Sequence, residues 1–330
     1  MKLNEKQLET VLRKYGHSFL RLVFVKSGYR NVSHVVETKN GLRCNFIVYK
    51  REDGIVERIR RVNNFSLHLR AAGVPVRAPL DTRIVQLSGS SNLRYGCLYS
   101  YEPGETIPWE AYSMKHIKLL GYALGKLHDA AGSYVGTLSS VTQEYEGIVT
   151  RMERYFADAD VASAMQEKLG LELNMLFVDF HRLLDAAEHM PGQQALHMDF
   201  VRGNVLFRPS QQDDRFVVGG LALSGILDLE KAAYGHPLFD IARTLAFLLV
   251  DCDKQTEKIY KYFLQSGYIK RGGGSISSAS DLADTLEPLV TMFLTYDFYK
   301  FLRQNPYESL GKNHHFIRTR DILVLRKVIQ

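Results

Sequence analysis

The sequence predicts an α+β fold in two unequal lobes, a small and mostly antiparallel sheet carrying one helix followed by a larger, mostly helical half. Three observations predict it. Residues 20–101 run in short β-branched and aromatic segments separated by turn residues, with one stretch of helical periodicity at 55–72. Beyond Pro103-Gly104 the apolar residues recur three and four apart over long stretches. Between residues 195 and 228 the strand-like pattern returns briefly, then gives way to helix again.

Each element follows from local chemistry. Leu3, Leu8, Val11 and Leu12 predict an amphipathic helix over residues 3–14. Leu20–Lys26 and Ser33–Thr38 read as strands around the turn Ser27-Gly28-Tyr29-Arg30-Asn31. Asn40-Gly41 tolerates the positive φ of a tight hairpin and leads into a strand over Cys44–Lys50. A helix fits 55–72 and stops at Gly73; Pro75 and Pro79 then mark a return to strands near 83–87 and 94–101, with the turn Ser88–Asn92 between them. The segment Tyr99–Gly104 divides the chain into an N-terminal lobe, residues 1–101, and a C-terminal lobe, residues 102–330. Helices are expected at 113–130, from Ile117, Leu120, Leu124 and Leu127, and at 142–157, 160–190, 239–265 and 281–303. The Gly- and Ser-rich stretch 271–280 reads as a flexible loop. A cleft between two such lobes is a natural place for a ligand.

Composition bounds the function. With 45% apolar and 24% charged residues over 330 positions, the chain is an ordinary globular protein. The net charge of +6 comes from scattered Lys and Arg, with short clusters such as Arg58–Arg61 and no basic tail or nucleic-acid module, so no nucleic-acid partner is expected. Cys44, Cys97 and Cys252 are odd in number and lack close spacing, which argues against a disulfide framework and a structural zinc site. The longest apolar run, Leu245–Val250, is far too short to span a bilayer. The charged start of the chain lacks the apolar core of a signal peptide. No membrane partner is expected, and a reduced cytoplasm is the natural compartment.

The strongest chemical signal is Leu196-His197-Met198-Asp199-Phe200-Val201-Arg202-Gly203-Asn204-Val205-Leu206-Phe207, an H-x-D-x-x-x-x-N run entering an apolar strand. Phosphoryl transfer needs a carboxylate near the acceptor hydroxyl and an amide oxygen nearby for a magnesium ion, and a short loop can aim Asp199 and Asn204 at one point. Twenty-four residues on, Gly225-Ile226-Leu227-Asp228-Leu229-Glu230 is an apolar strand that ends abruptly in a carboxylate. Asn204 and Asp228 would together supply hard oxygen ligands for Mg2+, with ATP phosphates and water completing the shell. The long gap between them implies an extended hairpin turning at Gly219-Gly220. Tyr234-Gly235-His236-Pro237-Leu238-Phe239-Asp240 opens a helix, where Asp240 either caps the helix or braces the preceding loop.

These motifs, His-x-Asp, then I-L-D-L-E, then G-H-P-L-F-D-I-A, resemble the aminoglycoside phosphotransferase and choline kinase family over nearly the whole chain. The resemblance implies a two-lobed, protein-kinase-like fold and an ATP- and magnesium-dependent kinase acting on a hydroxyl of a small metabolite or antibiotic. It implies Asp199 as catalytic base, Asn204 and Asp228 as metal ligands, and His197 and Asp240 as supports of the loop. Lys50, at the end of Phe46-Ile47-Val48-Tyr49-Lys50, matches the family's ATP-phosphate lysine. Ser27 and Gly28 sit where the family has its phosphate-covering hairpin, and Tyr99 and Tyr101 belong to the segment that resembles the hinge, whose backbone would meet adenine. The family's helix glutamate, partner of that lysine, would fall near Val62, with Glu57 the nearest carboxylate. Val201-Arg202 stands where many relatives have His-Pro, and Arg202 would touch the phosphate or the acceptor or face solvent. Trp109 lines the acceptor pocket or packs. His314-His315 reads as a surface loop, and the aromatic residues between 293 and 301 as core. The competing reading is an idle nucleotide-binding protein with a regulatory role.

Overall fold

Five strands, β1 (Phe19–Ser27), β2 (Val32–Thr38), β3 (Arg43–Val48), β4 (Val85–Leu87) and β5 (Arg94–Ser100), form one antiparallel sheet in the order β1-β2-β3-β5-β4. The computed structural model describes residues 2–28, 31–87, 93–175, 177–252, 254–272 and 282–330. Tyr29 and Arg30, the Ser88–Asn92 turn, residues 273–281 of the Gly- and Ser-rich stretch, and the side chain of Trp109 lie outside that description.

The sheet is covered on both faces, and the two-residue period of β3 decides what meets what. Cys44, Phe46 and Val48 pack with Leu8 and Leu12 of α1 (Glu5–Lys14), whose first turn is closed by a reciprocal Asn4–Gln7 capping box. Ile47, followed by Tyr49, packs on the other face with Ile55 and Ile59 of α2 (Ile55–Ala71). The Asn40-Gly41 hairpin forms as expected, with Gly41 at φ 82°.

The chain crosses to the second lobe through Gly104, whose φ of 136° and lack of a Cβ are both required. A methyl there would lie 2.4 Å from Ser224 Oγ and 3.0 Å from the Phe207 carbonyl. Glu105 and Phe207 then exchange backbone hydrogen bonds of 3.0 and 2.9 Å, pinning the crossover to the catalytic half.

That half contains α3 (Met114–Ala131), α4 (Val141–Phe156), α5 (Ala159–Leu169), α6 (Val178–Glu188), α7 (Leu238–Asp251), α8 (Thr256–Tyr260), α9 (Glu287–Gln304), α10 (Tyr307–Leu310) and α11 (His314–Leu325). Two small sheets hold the functional loops. One joins β6 (Ser139–Ser140), β11 (Ala233–Gly235) and β7 (Gln194–Leu196); the other joins β8 (Val205–Pro209), β10 (Leu221–Ile226) and β9 (Val217–Val218). The Gly219-Gly220 turn links β9 to β10 with φ of 56° and 82°, the hairpin implied by the long Asn204–Asp228 gap. Phe293 and Phe298 are fully buried, so the aromatic face of α9 is core.

Two expectations are corrected. The stretch 160–190 is two helices, because Gly170 takes the left-handed conformation (φ 63°) and ends α5. The C-terminal residues form α11, capped by the Asn313 side chain accepting from the Phe316 N–H at 3.0 Å, so His314-His315 is a helix start and not a surface loop.

Candidate active site

The catalytic loop is held from beneath by Asp240. This carboxylate, fully buried in the first turn of α7, accepts from the backbone N–H of His197 (2.7 Å) and of Met198 (2.6 Å). It caps nothing, since α7 begins at Pro237 without a side-chain cap; of its two readings, the geometry is that of a brace. Burial alone would raise the Asp240 carboxyl, but His128 at 3.1 Å, the nearby His197 ring and the His197 N–H hold it below the ordinary range. His128 is aimed in turn by Tyr268, whose hydroxyl lies 2.7 Å from Nδ1. Tyr268 reaches it because Gly121 and Gly125 of α3 let the π-type segment Lys261–Gly272 approach; a methyl at Gly121 would lie 2.0 Å from the Phe263 carbonyl. Neutralising Asp240 by Asp240→Asn is expected to cost ~3–5 kcal/mol, as for one broken buried charge network. Because the folded carboxyl is held low, its stabilisation is full above the unfolded value and is lost as pH falls through the folded one. Urea unfolding should therefore show a wild-type advantage that is large at neutral pH and shrinks in acid.

The loop is strained where it matters. Met198 and Asp228 have φ of 59° and 58°, conformations rarely taken outside glycine. The hydrogen bonds from His197 and Met198 to Asp240 fix the first. His197 accepts from the Asp199 N–H at Nδ1 (3.2 Å) and faces the Leu227 carbonyl through Nε2 (3.2 Å), tying the loop to the Asp228 strand. A second tie is the Leu227 N–H donating to the Asn204 carbonyl at 2.7 Å. These contacts bring Asp199, Asn204 and Asp228 together. The Asn204 amide nitrogen donates to Asp199 Oδ2 at 3.1 Å, which turns its Oδ1 away from the carboxylate. Lys231 Nζ meets Asp199 Oδ1 at 2.8 Å. Lys231 was missed in the sequence; its one signal is its place directly after the I-L-D-L-E motif.

Asn204, Asp228, Glu230 and Lys231 line a cavity of about 760 Å3 between the lobes, together with Gly28, Arg77, Tyr101 and Glu102. Of the expected nucleotide residues, Gly28 and Tyr101 are therefore in the cleft, and Ser27 is exposed at the end of β1 beside it. Asn31, just past the turn, bridges the lobes through a hydrogen bond from Nδ2 to Glu230. Tyr99 is not in the cleft. It is 3% exposed, on the same face of the sheet as Ile47 but covered by α2, and its hydroxyl meets the Tyr49 hydroxyl (2.5 Å) and Asn63 Oδ1 of α2 (2.8 Å).

Lys50 is not brought into the cleft. Asn45 and Ile47 of β3 face the cleft, the strand ends at Val48, Tyr49 turns into the interior, and Lys50 is exposed and does not line this cavity. Where a lysine–glutamate pair was expected, the structure holds the uncharged trio Tyr49, Tyr99 and Asn63. Burial pushes both tyrosine hydroxyls far above their ordinary value, so the trio stays neutral. Glu57 is exposed and lies 3.9 Å from Arg60. Arg77 lies beside the trio, with its guanidinium carbon 5.5 Å from the Tyr99 ring centre. Its N–H donates to the Ile226 carbonyl at 2.9 Å, two residues before Asp228.

A second cavity, of about 800 Å3, opens on the other side of the catalytic loop. The two share Thr106 and Gly203 as wall residues. Arg202 lines this second cavity and is paired with Asp251 (Nε to Oδ2, 3.1 Å), so it does not simply face solvent. Among the described residues, no group of three or more His, Cys, Asp or Glu side chains is arranged to hold a metal, and no helix is long and apolar enough to cross a membrane.

Comparison with known proteins fits this geometry. In structure the chain is similar to an amicoumacin kinase in complex with AMP-PNP and Ca2+ (13% identity, 96% of this chain and 94% of that one, TM-score 0.65). It is similar to a microcompartment-associated aminopropanol kinase (15%, 98% and 97%, TM-score 0.64) and to the GDP complex of an aminoglycoside 2'-phosphotransferase (16%, 97% and 100%, TM-score 0.60). No curated protein sequence matches the chain. At these identities the likeness establishes the two-lobed, kinase-like fold. Residues 21–269, which include every site residue named above except those of the far C-terminal helices, match the model of one family, and the chain belongs to the phosphotransferase enzyme family.

Proposed function

We propose that the chain is an ATP-dependent kinase that transfers the γ-phosphoryl group to a hydroxyl of a small molecule. One observation carries this reading: Asp199 is tied to two cleft-lining residues, Asn204 and Lys231, at the place where the two cavities share a wall. In this reading the cleft between the lobes takes the nucleotide, with adenine near Tyr101, and the second cavity takes the acceptor. Asn204 Oδ1 and the Asp228 carboxylate are the oxygen pair that would hold magnesium. The fit is good, since the Asn204 nitrogen is already engaged and both residues line the same cleft. When bound there, the ion would draw charge off the phosphates. Arg77 takes the place of the missing strand lysine as the fixed cation for the phosphate chain.

Asp199 orients the acceptor hydroxyl and accepts its proton as the new P–O bond forms. Its carboxylate is 15% exposed, enough for a substrate hydroxyl to reach it, and Lys231 and Asn204 fix its rotamer. Phosphoryl transfer asks little covalent chemistry of the protein, so positioning and charge are the main contributions. The experiment is calorimetric titration with ATP with and without magnesium, followed by ADP release over a panel of hydroxylated compounds. Magnesium-dependent binding and acceptor-dependent ADP release are expected; absence of nucleotide binding would sink the reading.

A second reading, an idle nucleotide-binding protein, is favoured by the neutral Tyr49–Tyr99–Asn63 trio. It predicts nucleotide binding with no acceptor-dependent ADP release from any member of the panel.

A further inference from the structure

The second cavity carries information about the acceptor. Its charged groups form two clusters. In the first, Asp251 receives Arg202 Nε at 3.1 Å on one oxygen and His315 Nδ1 at 3.1 Å on the other. In the second, Asp297 receives Arg243 through both guanidinium nitrogens (2.8 and 3.2 Å) and Lys300 Nζ at 2.5 Å. Both carboxylates are nearly buried, with side chains 13% and 12% exposed. Both oxygens of each are already engaged by the protein's own donors. The charged side chains that line the cavity balance, Arg202 and Lys300 against Asp251 and Asp297, and the buried Arg243 behind them adds one positive charge before His315 is counted.

The hydrogen-bond donors left over belong to the two lining cations. Arg243 is buried with its guanidinium carbon 4.0 Å from the Phe247 ring centre, so its charge is committed to Asp297. Lys300 lines the cavity, and only one of its three donors is needed by Asp297. Arg202 also lines it, and its contact with Asp251 through Nε leaves the NH1–NH2 edge of the fork for another acceptor. Burial holds the Lys300 ammonium below its ordinary value, with the attraction of Asp297 opposing it and repulsion from Arg243 and Lys231 adding to it. Phe247 and Phe301 supply apolar wall, and Gln304 and Asn305 neutral hydrogen-bonding groups.

Resting on the kinase reading above, we propose that the acceptor is a hydroxylated small molecule carrying an anionic group, seated against Lys300 and Arg202 with its hydroxyl toward Asp199, and that amine-bearing alcohols are disfavoured. A polycation would compete with the existing partners of Asp251 and Asp297 and meet the lining cations Arg202 and Lys300. An anion meets two oriented donors already held by their own carboxylates.

The test uses matched probes that differ in charge: 4-hydroxybutanoate against 4-amino-1-butanol, and gluconate against glucosamine. Each is read by ADP release with Mg-ATP and by the melting temperature of the full chain, with and without nucleotide. The anionic member of each pair is expected to give the larger response in both readouts. Lys300→Met should raise KM for the anionic acceptor about tenfold or more while leaving Mg-ATP affinity unchanged, and Lys300→Arg should restore most of it. Asp297 keeps Arg243 in both variants, so the fold should survive; their melting temperatures check this. A preference for the amine members, equal responses within pairs, no response to any probe, or an unchanged KM in Lys300→Met would overturn the proposal. The melting readout without nucleotide tests charge preference even if ATP does not bind, so failure of the charge argument and failure of the kinase reading are separable.

Discussion

Asp199→Asn should bind Mg-ATP as the wild type does and transfer phosphate ~10²–10⁴-fold more slowly, the usual range for loss of a general base. The substitution keeps shape and rotamer: the new amide oxygen still accepts from Asn204, and Lys231, whose side chain is 57% exposed, finds water in place of its partner. What is lost is the negative charge proposed to orient the acceptor hydroxyl and take its proton. Asp228→Asn should behave differently. Asparagine tolerates the φ of 58° at this position, so the backbone should hold, but one of the two hard oxygen groups proposed for magnesium loses its charge. The expected result is a raised magnesium requirement and weaker nucleotide binding together with a lower rate. Calorimetry with Mg-ATP on both variants, paired with ADP release, separates base from metal ligand. Normal turnover by Asp199→Asn, or an exchange of the two phenotypes, would mean that the loop has been assigned wrongly.

The parts of this site that were legible in the sequence are those encoded within a few residues. Asp199 and Asn204 share one short loop, and the strand that delivers Asp228 announces itself by ending in a carboxylate. The Asn40-Gly41 and Gly219-Gly220 turns were legible for the same reason, since positive φ is a local demand that few residues meet. Asp240 was found, but the choice between cap and brace depended on a loop 42 residues earlier in the chain, which no local pattern can show. Lys50 failed by a single residue. The strand ends at Val48, so the lysine lands off the cleft, and nothing in F-I-V-Y-K says where the strand stops or which residue continues the cleft-facing row. The cavity cation Lys300 and the buried Arg243 behind it lie on α9 and α7, far apart in sequence and joined through Asp297. Long-range pairs of this kind leave no periodic signature.

The same one-residue shift gives the second large effect. If a cation must stand near the phosphate chain and the strand supplies only Tyr49, the charge has to come from another element. Arg77 is placed for it. It lines the cleft, its guanidinium carbon sits 5.5 Å from the Tyr99 ring centre, and its backbone is bonded to Ile226 beside the metal strand. A charge-assisted hydrogen bond contributes about 1.5–3 kcal/mol, so Arg77→Ala should weaken Mg-ATP binding or lower kcat/KM for ATP on the order of 10- to 100-fold. Lys50→Ala should change either quantity by less than about threefold, since an exposed strand-end lysine off the cleft neither holds phosphate nor fills core. Arg77→Lys should fall between, because a point charge replaces a fork and loses the ring contact. Melting temperatures of the three variants guard against a folding effect; the cation–ring contact accounts for only about 0.5–1 kcal/mol of stability at such a site. A large loss in Lys50→Ala with Arg77→Ala near wild type would return the phosphate role to the strand end and require β3 to shift register when nucleotide binds.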